Sequence, residues 1–131
     1  MTPLLEPLGE LESAVMDVVW GQAAPMTARD VCDRMTGHQE RAYTTIMTTM
    51  DRLHRKGLLE REKDGLAWRY HAVMSATEFR GRLAESLATR ILSAGPDTAL
   101  RAFVDATANV DEALLDRLKQ LITLKKRRVS K

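Results

Sequence analysis

The stretch from Arg41 to Gly57 constrains the fold of this chain more than any other. Within it, Ile46, Met50 and Leu53 recur at the spacing of one helix face, so they predict an amphipathic helix with a buried stripe. Gly57 then ends the helix, because glycine readily adopts the left-handed conformation found after helix C-termini. The opposite face is polar and comprises Thr44, Thr48, Asp51, Arg52 and Arg55, with Thr45 at its edge.

The threonine content of this outward face is unusual. Threonine is a mediocre helix former, and a helix that needed only solubility would use Glu, Lys or Gln. Short side chains, however, let a helix lie deep in the major groove, where hydroxyls meet base edges and methyls meet thymine. A solvated helix that tolerates threonine is the alternative, and the residues that follow decide between them. The residues predicted to contact bases are Thr44, Thr45, Met47, Thr48 and Arg52, of which Met47 is expected mainly to pack at the side.

Two helices are predicted before this one. Thr27 and Asp30 form a capping-box pair that opens the second, and Gly37 ends it. A short helix followed by a basic helix is the order of a helix-turn-helix motif, here with one helix in front. That first helix has Glu12 on its far side and an apolar stripe of Leu8, Leu11, Val15, Val18 and Val19.

The pattern changes period after Gly57. Residues 58–63 can run extended, Asp64-Gly65 is a favoured type I′ turn pair, and residues 66–73 alternate between two faces, which predicts a β-hairpin. Leu66, Trp68 and Tyr70 share one face of it, and we expect the two aromatic rings to pack against the helices. Three helices and a hairpin make a winged helix, so the predicted fold class is mainly α with a small β-hairpin.

Positive charge concentrates on the predicted helix, the hairpin and the tail. Residues 1–40 carry two basic and seven acidic groups, residues 41–73 carry seven and four, and residues 125–131 carry five basic groups alone. The total is only +2, so the distribution is what indicates a protein that binds double-stranded DNA. The residues predicted to hold phosphates are Arg41, Tyr43, Arg55, Lys56, Lys63 and Arg69, with Arg61 placed beside them on the first strand.

Three further helices follow the hairpin. Ser75 and Glu78 form a capping box for the first, residues 95–96 (Gly-Pro) separate it from the second, and Asn109 with Glu112 is expected to cap the third. Their apolar stripes either fold back on the first domain or pair with another chain, and pairing is favoured because a symmetric operator needs a dimer. The residues predicted to form the interface are Phe79, Leu83, Leu87, Phe103, Leu114, Leu118, Leu121 and Ile122.

These patterns predict a winged-helix DNA-binding domain over residues 1–74 and a helical dimerisation domain over residues 75–131, which ends in a basic tail. The cluster Lys125-Lys126-Arg127-Arg128 complements the dipole of the last helix, and direct contact with DNA is the alternative role. No apolar run approaches the roughly 18 residues of a membrane span, and no signal-peptide core is present. A cytoplasmic location without stable membrane association is therefore expected.

Other chemistry has little support in the sequence. Cys32 is the single cysteine, so it cannot form an internal disulfide and is expected to be a small core residue. His38, His54 and His71 lack the spacing of catalytic or metal-binding motifs, so neither catalysis nor a cofactor is predicted. Two other classes stay open: a winged helix that docks a protein, and a winged-helix regulator that binds a small effector.

The sequence resembles the penicillinase-repressor (BlaI/MecI) family of winged-helix repressors. The resemblance covers residues 5–75 well and the C-terminal helices only by pattern. The motifs that carry it are Leu8-Gly9-Glu10-Leu11-Glu12 with Val15-Met16 and Trp20, then Ala42-Tyr43-Thr44-Thr45-Ile46-Met47-Thr48, Arg52-Leu53, Lys56-Gly57-Leu58 and Trp68-Arg69-Tyr70.

This resemblance implies a homodimeric repressor that binds palindromic operators of β-lactam-resistance or cell-envelope genes. It also implies inactivation by proteolysis before a phenylalanine, once a membrane sensor-protease system detects antibiotic. The candidate bond is Ala102–Phe103, although the best-known members have asparagine where this chain has Ala102. The chain lacks the Cys-x-Cys cluster of the copper-responsive branch, so metal sensing of that kind is not expected.

Overall fold

The computed structural model describes residues 5–37 and 40–129, and His38 lies outside the described residues. The chain divides into two compact units, residues 1–86 and residues 87–131. The division falls within a helix, Ala76–Ala94, whereas the sequence predicted a boundary between residues 74 and 75. The start of that helix therefore belongs with the first unit.

The first unit contains three helices and a two-stranded antiparallel hairpin in the predicted order, and the predicted winged-helix fold class is confirmed. Leu59 lies opposite Ala72 at one end of the hairpin, and Asp64 lies opposite Ala67 at the other. The elements are α1 (Glu10–Trp20), α2 (Ala28–Arg34), α3 (Tyr43–Arg55), β1 (Leu59–Asp64) and β2 (Ala67–Ala72), after which α4 (Ala76–Ala94) begins.

The apolar stripe of α3 lies in the core of the first unit. Ile46, Met50 and Leu53 have 0% of their surface exposed, as the helical spacing predicted. Burial of such a side chain contributes about 1.5–3 kcal/mol, so this stripe fixes which face of α3 is left for solvent. The buried side chains around it come from the other elements of the unit: Val15, Met16, Val19, Val31, Met35, Leu58, Leu59, Tyr70 and Phe79.

Local signals define both ends of the connection between α3 and the hairpin. Gly57 has φ +83°, and its N–H donates to the carbonyl of His54 at 3.0 Å. The next N–H, from Leu58, donates to the carbonyl of Leu53 at 3.0 Å. This pair of bonds is the Schellman motif, so the prediction that Gly57 ends the helix is confirmed.

The second helix begins as predicted but ends earlier. Thr27 Oγ1 accepts from the N–H of Asp30 at 3.1 Å, and the carboxylate of Asp30 accepts from the N–H of Thr27 at 3.0 Å. The helix stops at Arg34, and Met35 adopts an extended conformation. Burial of Met35 in the core turns the chain before Gly37 is reached.

The hairpin turn is shifted by one residue from the predicted position. Its two central residues are Gly65 and Leu66, because Asp64 pairs with Ala67 across the ladder. Gly65 has φ +64°, and Leu66 is not among the residues with positive φ. Glycine at the first central position with no second positive φ is the type II′ pattern, so the predicted type I′ turn is wrong. Leu66 is consequently fully exposed at the tip.

The two hairpin aromatic residues have different surroundings. Tyr70 is buried, and its backbone exchanges hydrogen bonds of 2.8 and 2.9 Å with Met26 in the loop between α1 and α2. Trp68 is 38% exposed, and the cations of Arg61 and Lys63 lie 4.3 and 4.6 Å from its ring centroid. The expectation that both rings pack against helices is therefore right for Tyr70 only.

Phe79 contributes to the core of the first unit. It is buried and its ring lies 5.6 Å from that of Trp20, while Leu83 is packed against the same core. The indole N–H of Trp20 donates to the carbonyl of Met74 at 3.0 Å, which fixes the chain just before α4. Phe79, predicted for a dimer interface, is thus used in the core of one chain. Leu83 keeps part of its surface exposed, so its place in an interface stays a prediction.

The second unit continues α4 and contains α5 (Pro96–Val110) and α6 (Ala113–Val129). Asn109 belongs to α5 rather than capping the last helix, and Asp111 Oδ1 instead accepts from the N–H of Ala113 at 3.0 Å. None of the described residues of α5 and α6 is buried. Within the described chain, no helix combines the length and apolar character needed to cross a membrane.

Candidate nucleic-acid interface

The outward face of α3 gathers all the residues predicted to contact bases. They occupy little more than two turns of one helix, and all are exposed to solvent. Thr49, between them in sequence, faces inward and is buried, so the polar surface is limited to one side. The exposed residues are Thr44, Thr45, Met47, Thr48 and Arg52.

The hydroxyl of Thr48 already has a partner in the helix. Its Oγ1 donates to the carbonyl of Thr44 at 2.9 Å, and buried Thr49 makes the same bond to Thr45 at 2.8 Å. These bonds satisfy the hydroxyl protons and set the rotamers. The lone pairs and the methyl of Thr48 therefore remain on the outer surface, where they suit an amino donor or a thymine methyl.

A cation that sequence reasoning missed lies at the start of α3. The guanidinium of Arg29, on α2, is 4.1 Å from the ring centroid of Tyr43, close enough for a cation–π interaction. The sequence signal was weak, since Arg29 lies on a short helix whose two arginines are balanced by two aspartates. Arg41, just before α3, donates to the carbonyl of Glu40 at 2.8 Å. The N-terminal end of α3 thus has Arg29, Arg41 and Tyr43 close to it.

Asp51 joins α3 to the hairpin. One of its carboxylate oxygens accepts from Arg61 Nη1 at 2.9 Å, and the other accepts from Arg55 Nε at 3.0 Å. Arg61 also donates to the hydroxyl of Tyr70 at 3.4 Å and lies over the ring of Trp68. The placement of Arg61 against phosphate is not supported, because its guanidinium holds the strand to the helix.

Glu12 and Lys56 form an ion pair between α1 and the end of α3. Lys56 Nζ donates to both carboxylate oxygens of Glu12, at 3.0 and 2.8 Å, and the N–H of Gly9 donates to one of them at 3.0 Å. Glu12 is only 7% exposed, so its expected position on the far side of α1 is wrong. The capping interaction with Gly9 turns the carboxylate inward. Lys56, predicted to hold phosphate, has a partner within the protein.

The environment of Glu12 shifts its titration. Burial raises the pKa of this carboxyl, but the hydrogen bonds from Lys56 and from the backbone of Gly9 outweigh that effect. The positive charges of Lys56 and Arg52 act in the same direction as those bonds, so the pKa of Glu12 lies below its usual value. Glu12 is therefore ionised at neutral pH and holds Lys56 against the protein.

The hairpin cations are engaged as well. The guanidinium of Arg69 pairs with Asp64 on the facing strand and lies 4.0 Å from Asp30 on α2. Both carboxylates raise the pKa of Arg69, with the hydrogen bond to Asp64 contributing most. The ammonium of Lys63 lies over the ring of Trp68. Only part of the positive charge that the sequence assigns to the hairpin is thus left for a ligand.

The remaining residues predicted for dimerisation lie on the helices of the second unit. Phe103 is 60% exposed, which is a large apolar area for a single chain to leave in water. Leu87 and Leu118 are half-buried, and the more exposed side chains on α6 are Leu114, Leu121 and Ile122. The bond between Ala102 and Phe103 lies inside α5.

The described histidines and cysteine serve local structure. His54 Nδ1 lies 2.9 Å from the carbonyl of Leu59, and His71 lies 3.2 Å from the carboxylate of Glu60. Cys32 is half-buried, and its Sγ lies 3.6 Å from the carbonyl of Arg41. Over residues 5–37 and 40–129, no group of three or more His, Cys, Asp or Glu side chains could hold a metal ion.

Comparisons with known proteins agree with this geometry. The model of a family described as penicillinase repressor matches residues 8–124. Transcriptional regulator BlaI of Mycobacterium tuberculosis is 37% identical over 110 residues, which cover 83% of this chain and 79% of the relative. Methicillin resistance regulatory protein MecI of Staphylococcus aureus is 19% identical over 98 residues, covering 75% of this chain and 79% of MecI.

A solved structure gives the same result for the fold. The DNA-binding domain of the repressor BlaI aligns with a TM-score of 0.50 and 23% sequence identity, covering 60% of this chain and 93% of that domain. This likeness concerns the winged helix. The relatives and the fold are those of transcriptional regulators, not of enzymes.

We predict that Glu12→Gln removes a pH-dependent part of the stability of the first unit. A carboxyl whose pKa is lowered by folding stabilises the protein above its unfolded pKa of about 4.3, and this stabilisation is lost as pH falls through the lower folded value. At pH 7 the substitution should cost about 1–3 kcal/mol, since it weakens charge-assisted bonds to a buried group. Urea unfolding between pH 7 and pH 3 measures both effects.

The matched control is Glu85→Gln, which neutralises an exposed glutamate of α4 in the same unit. It should change the unfolding free energy by less than about 0.5 kcal/mol and leave its pH dependence as in the wild type. Identical acid unfolding curves for the wild type and Glu12→Gln would contradict the role given to Glu12.

Proposed function

The chain belongs to the penicillinase repressor family, as its motifs indicated, and we propose that it is a sequence-specific repressor that binds palindromic operators as a homodimer. The observation that carries the proposal is the two-faced character of α3. Its apolar stripe is fully buried, while a continuous surface of threonines with Met47 and Arg52 is exposed. A helix held in this way presents short side chains to the major groove.

Each exposed residue of α3 has a chemically defined role in this proposal. Thr44, Thr45 and Thr48 contact base edges through hydroxyl oxygens and methyl groups, and Met47 adds apolar contact. Arg52 is exposed and belongs to no ion pair within the described chain, so its guanidinium is available for guanine or phosphate. The proposed phosphate contacts are Arg41, Tyr43, Arg55, Lys56, Lys63 and Arg69. Of these, Arg55, Lys56 and Arg69 would share a carboxylate partner with the phosphate.

A homodimer accounts for the apolar surface of the second unit. Exposed leucines on α6 and Phe103 on α5 would be covered by the same helices of a second copy, as is usual in two-fold dimers. Two winged helices linked in this way match two half-sites of a palindrome. Since the ligand is DNA, we propose that the protein acts in the cytoplasm.

The regulated genes are proposed from the family. BlaI and MecI are named as a transcriptional regulator and a methicillin resistance regulator, so we propose targets in the response to β-lactams or cell-wall damage. Release would follow cleavage at Ala102–Phe103 by a membrane sensor-protease system. Because this bond lies inside α5, the helix must open locally before a protease can bind an extended segment.

We predict that Thr48→Ala lowers affinity for the operator by about 1–3 kcal/mol and hardly changes affinity for random DNA. The operator is first obtained by selecting binding sites from randomised DNA with the wild-type protein. Thr48→Val keeps the methyl group and Thr48→Ser keeps the hydroxyl, so fluorescence anisotropy with both variants tells which group discriminates.

The control for this series is Thr123→Ala on α6. Thr123 is exposed and donates its hydroxyl to the carbonyl of Lys119 at 3.0 Å, which is the same local bond that Thr48 makes. This variant should bind the operator as the wild type does. Equal losses on operator and random DNA for Thr48→Ala would reject base contact by α3.

We predict that Leu118→Asp converts the dimer into a monomer, because it buries a charge in an apolar interface. Sedimentation velocity at micromolar concentration measures the mass, and operator affinity should fall with it. Thr123→Asp places the same charge on the other side of α6 and should remain a dimer. A wild-type protein that sediments as a monomer would reject the proposed assembly.

We predict that induction removes the full-length chain. In cells treated with a cell-wall antibiotic, immunoblots should show a fragment that ends at Ala102 as expression of the regulated genes rises. An Ala102→Arg variant keeps Phe103 in place and changes only the exposed residue before the bond. It should be cut more slowly than the wild type and keep the genes repressed for longer. Rising expression while the wild-type chain stays intact would favour a small effector instead.

A further inference from the structure

The unit that carries the DNA-reading helix has a net negative charge. Residues 1–86 contain eleven basic and thirteen acidic residues, whereas residues 87–131 contain nine basic and five acidic ones. DNA carries about one negative charge per 1.7 Å of its axis, so a unit with a net charge of this sign gains no long-range attraction to it. The positive total of the chain comes from the second unit.

Ion pairs reduce the available charge of the first unit further. Lys56 pairs with Glu12, and Asp51 pairs with both Arg55 and Arg61. On the hairpin, Arg69 pairs with Asp64 in the same way. A paired cation must lose or share its partner to neutralise a phosphate, so these residues contribute less counterion release than their number suggests.

The charge of the second unit is concentrated at the end of α6. Lys125, Lys126, Arg127 and Arg128 are consecutive and exposed. In the described part of the chain, none of the four forms a salt bridge with an acidic residue. Without these four charges the net charge of the chain would change from +2 to −2. The sign of the long-range field therefore depends on residues 125–128.

A role in helix stability alone does not account for this cluster. Cations in the last turn interact favourably with the helix dipole by about 0.3–1 kcal/mol each, and one or two would provide this effect. Four consecutive residues at about 100° intervals point to nearly all sides of the helix. A helix that lies on a membrane keeps one apolar side instead, so this arrangement fits a polyanion that is approached end-on.

We propose that the end of α6, residues 125–128, is a second DNA-binding surface that provides the sequence-independent attraction to phosphates. This second surface rests on the proposed function in one respect, namely that DNA is the ligand. Affinity for DNA of any sequence and its salt dependence come largely from α6, while discrimination between sequences comes from α3. The two properties are thus separable by mutation.

The test compares two variants of the full chain with equal net charge. In the first, Lys125, Lys126, Arg127 and Arg128 are all replaced by Gln. The second replaces four exposed arginines elsewhere: Arg80, Arg82, Arg101 and Arg117. Affinities for the selected operator and for random duplex are measured from 50 to 300 mM salt, with association rates from stopped-flow fluorescence.

We expect the α6 variant to bind both duplexes more weakly by a similar factor. The slope of log affinity against log salt should fall by about 0.9 for each phosphate that the variant no longer neutralises, hence by roughly 2–4 per chain. Its association rate should become nearly independent of salt, while the preference for operator over random duplex is retained. The control variant should keep more than half of the wild-type slope. Equal slopes for the two variants, or no change in either, would overturn the proposal.

The outcomes separate this proposal from the proposed function. If the wild type prefers the operator and the α6 variant has an unchanged salt slope, the second DNA-binding surface is rejected and the proposed repressor function stands. If the wild type binds operator and random duplex equally, and its salt slope depends on residues 125–128, the sequence-specific repressor is rejected and the second DNA-binding surface stands. Binding of the wild-type protein to vesicles with 30% phosphatidylglycerol completes the test. If the wild type binds these vesicles and the α6 variant binds DNA as the wild type does, the cluster is assigned to a membrane.

Discussion

The complete burial of one stripe on α3 is the constraint on which the first unit depends. Ile46, Met50 and Leu53 have no contact with solvent, so rotation of α3 about its axis would expose apolar surface and bury Arg52. At roughly 25 cal/mol per Å² of apolar surface, this orientation is strongly determined. The same packing that stabilises the fold therefore decides which residues reach a ligand.

Ion pairs then fix what surrounds α3. Asp51 holds Arg61 of β1, and Lys56 holds Glu12 of α1, so the C-terminal half of α3 is connected to two other elements. Both pairs are partly shielded from water. Lys56 donates twice to Glu12, while Arg61 donates once to Asp51 and once to the hydroxyl of Tyr70, which makes both pairs stronger than typical surface pairs. The cations in these pairs, Arg61 and Lys56, are among those that a count of charges along the sequence would assign to DNA.

Sequence reasoning succeeded where a short segment determines its own structure. The capping box at Thr27, the helix end at Gly57 and the buried stripe of α3 each depend on residues within one or two turns. It failed where distant residues compete. Glu12 turns inward because Lys56 is available, and Trp68 stays at the surface because Arg61 and Lys63 cover its ring.

The helices of the second unit show the same limit, since Asn109 fits a capping pattern but α5 continues to Val110 and Asp111 caps the next helix. The extension of α5 to Val110 matters for the proposed release of the operator. A cut inside α5 would separate residues 103–131 from the winged helix, and with them both the apolar surface of α6 and its basic end. Loss of linkage alone lowers the affinity for two half-sites by a factor of about 10²–10⁴. Loss of the cations would also remove attraction to flanking DNA, so one cleavage acts on two contributions that multiply. Under the proposed release, one cut within α5 would therefore free an operator that α3 alone, in a unit of net negative charge, would hold weakly.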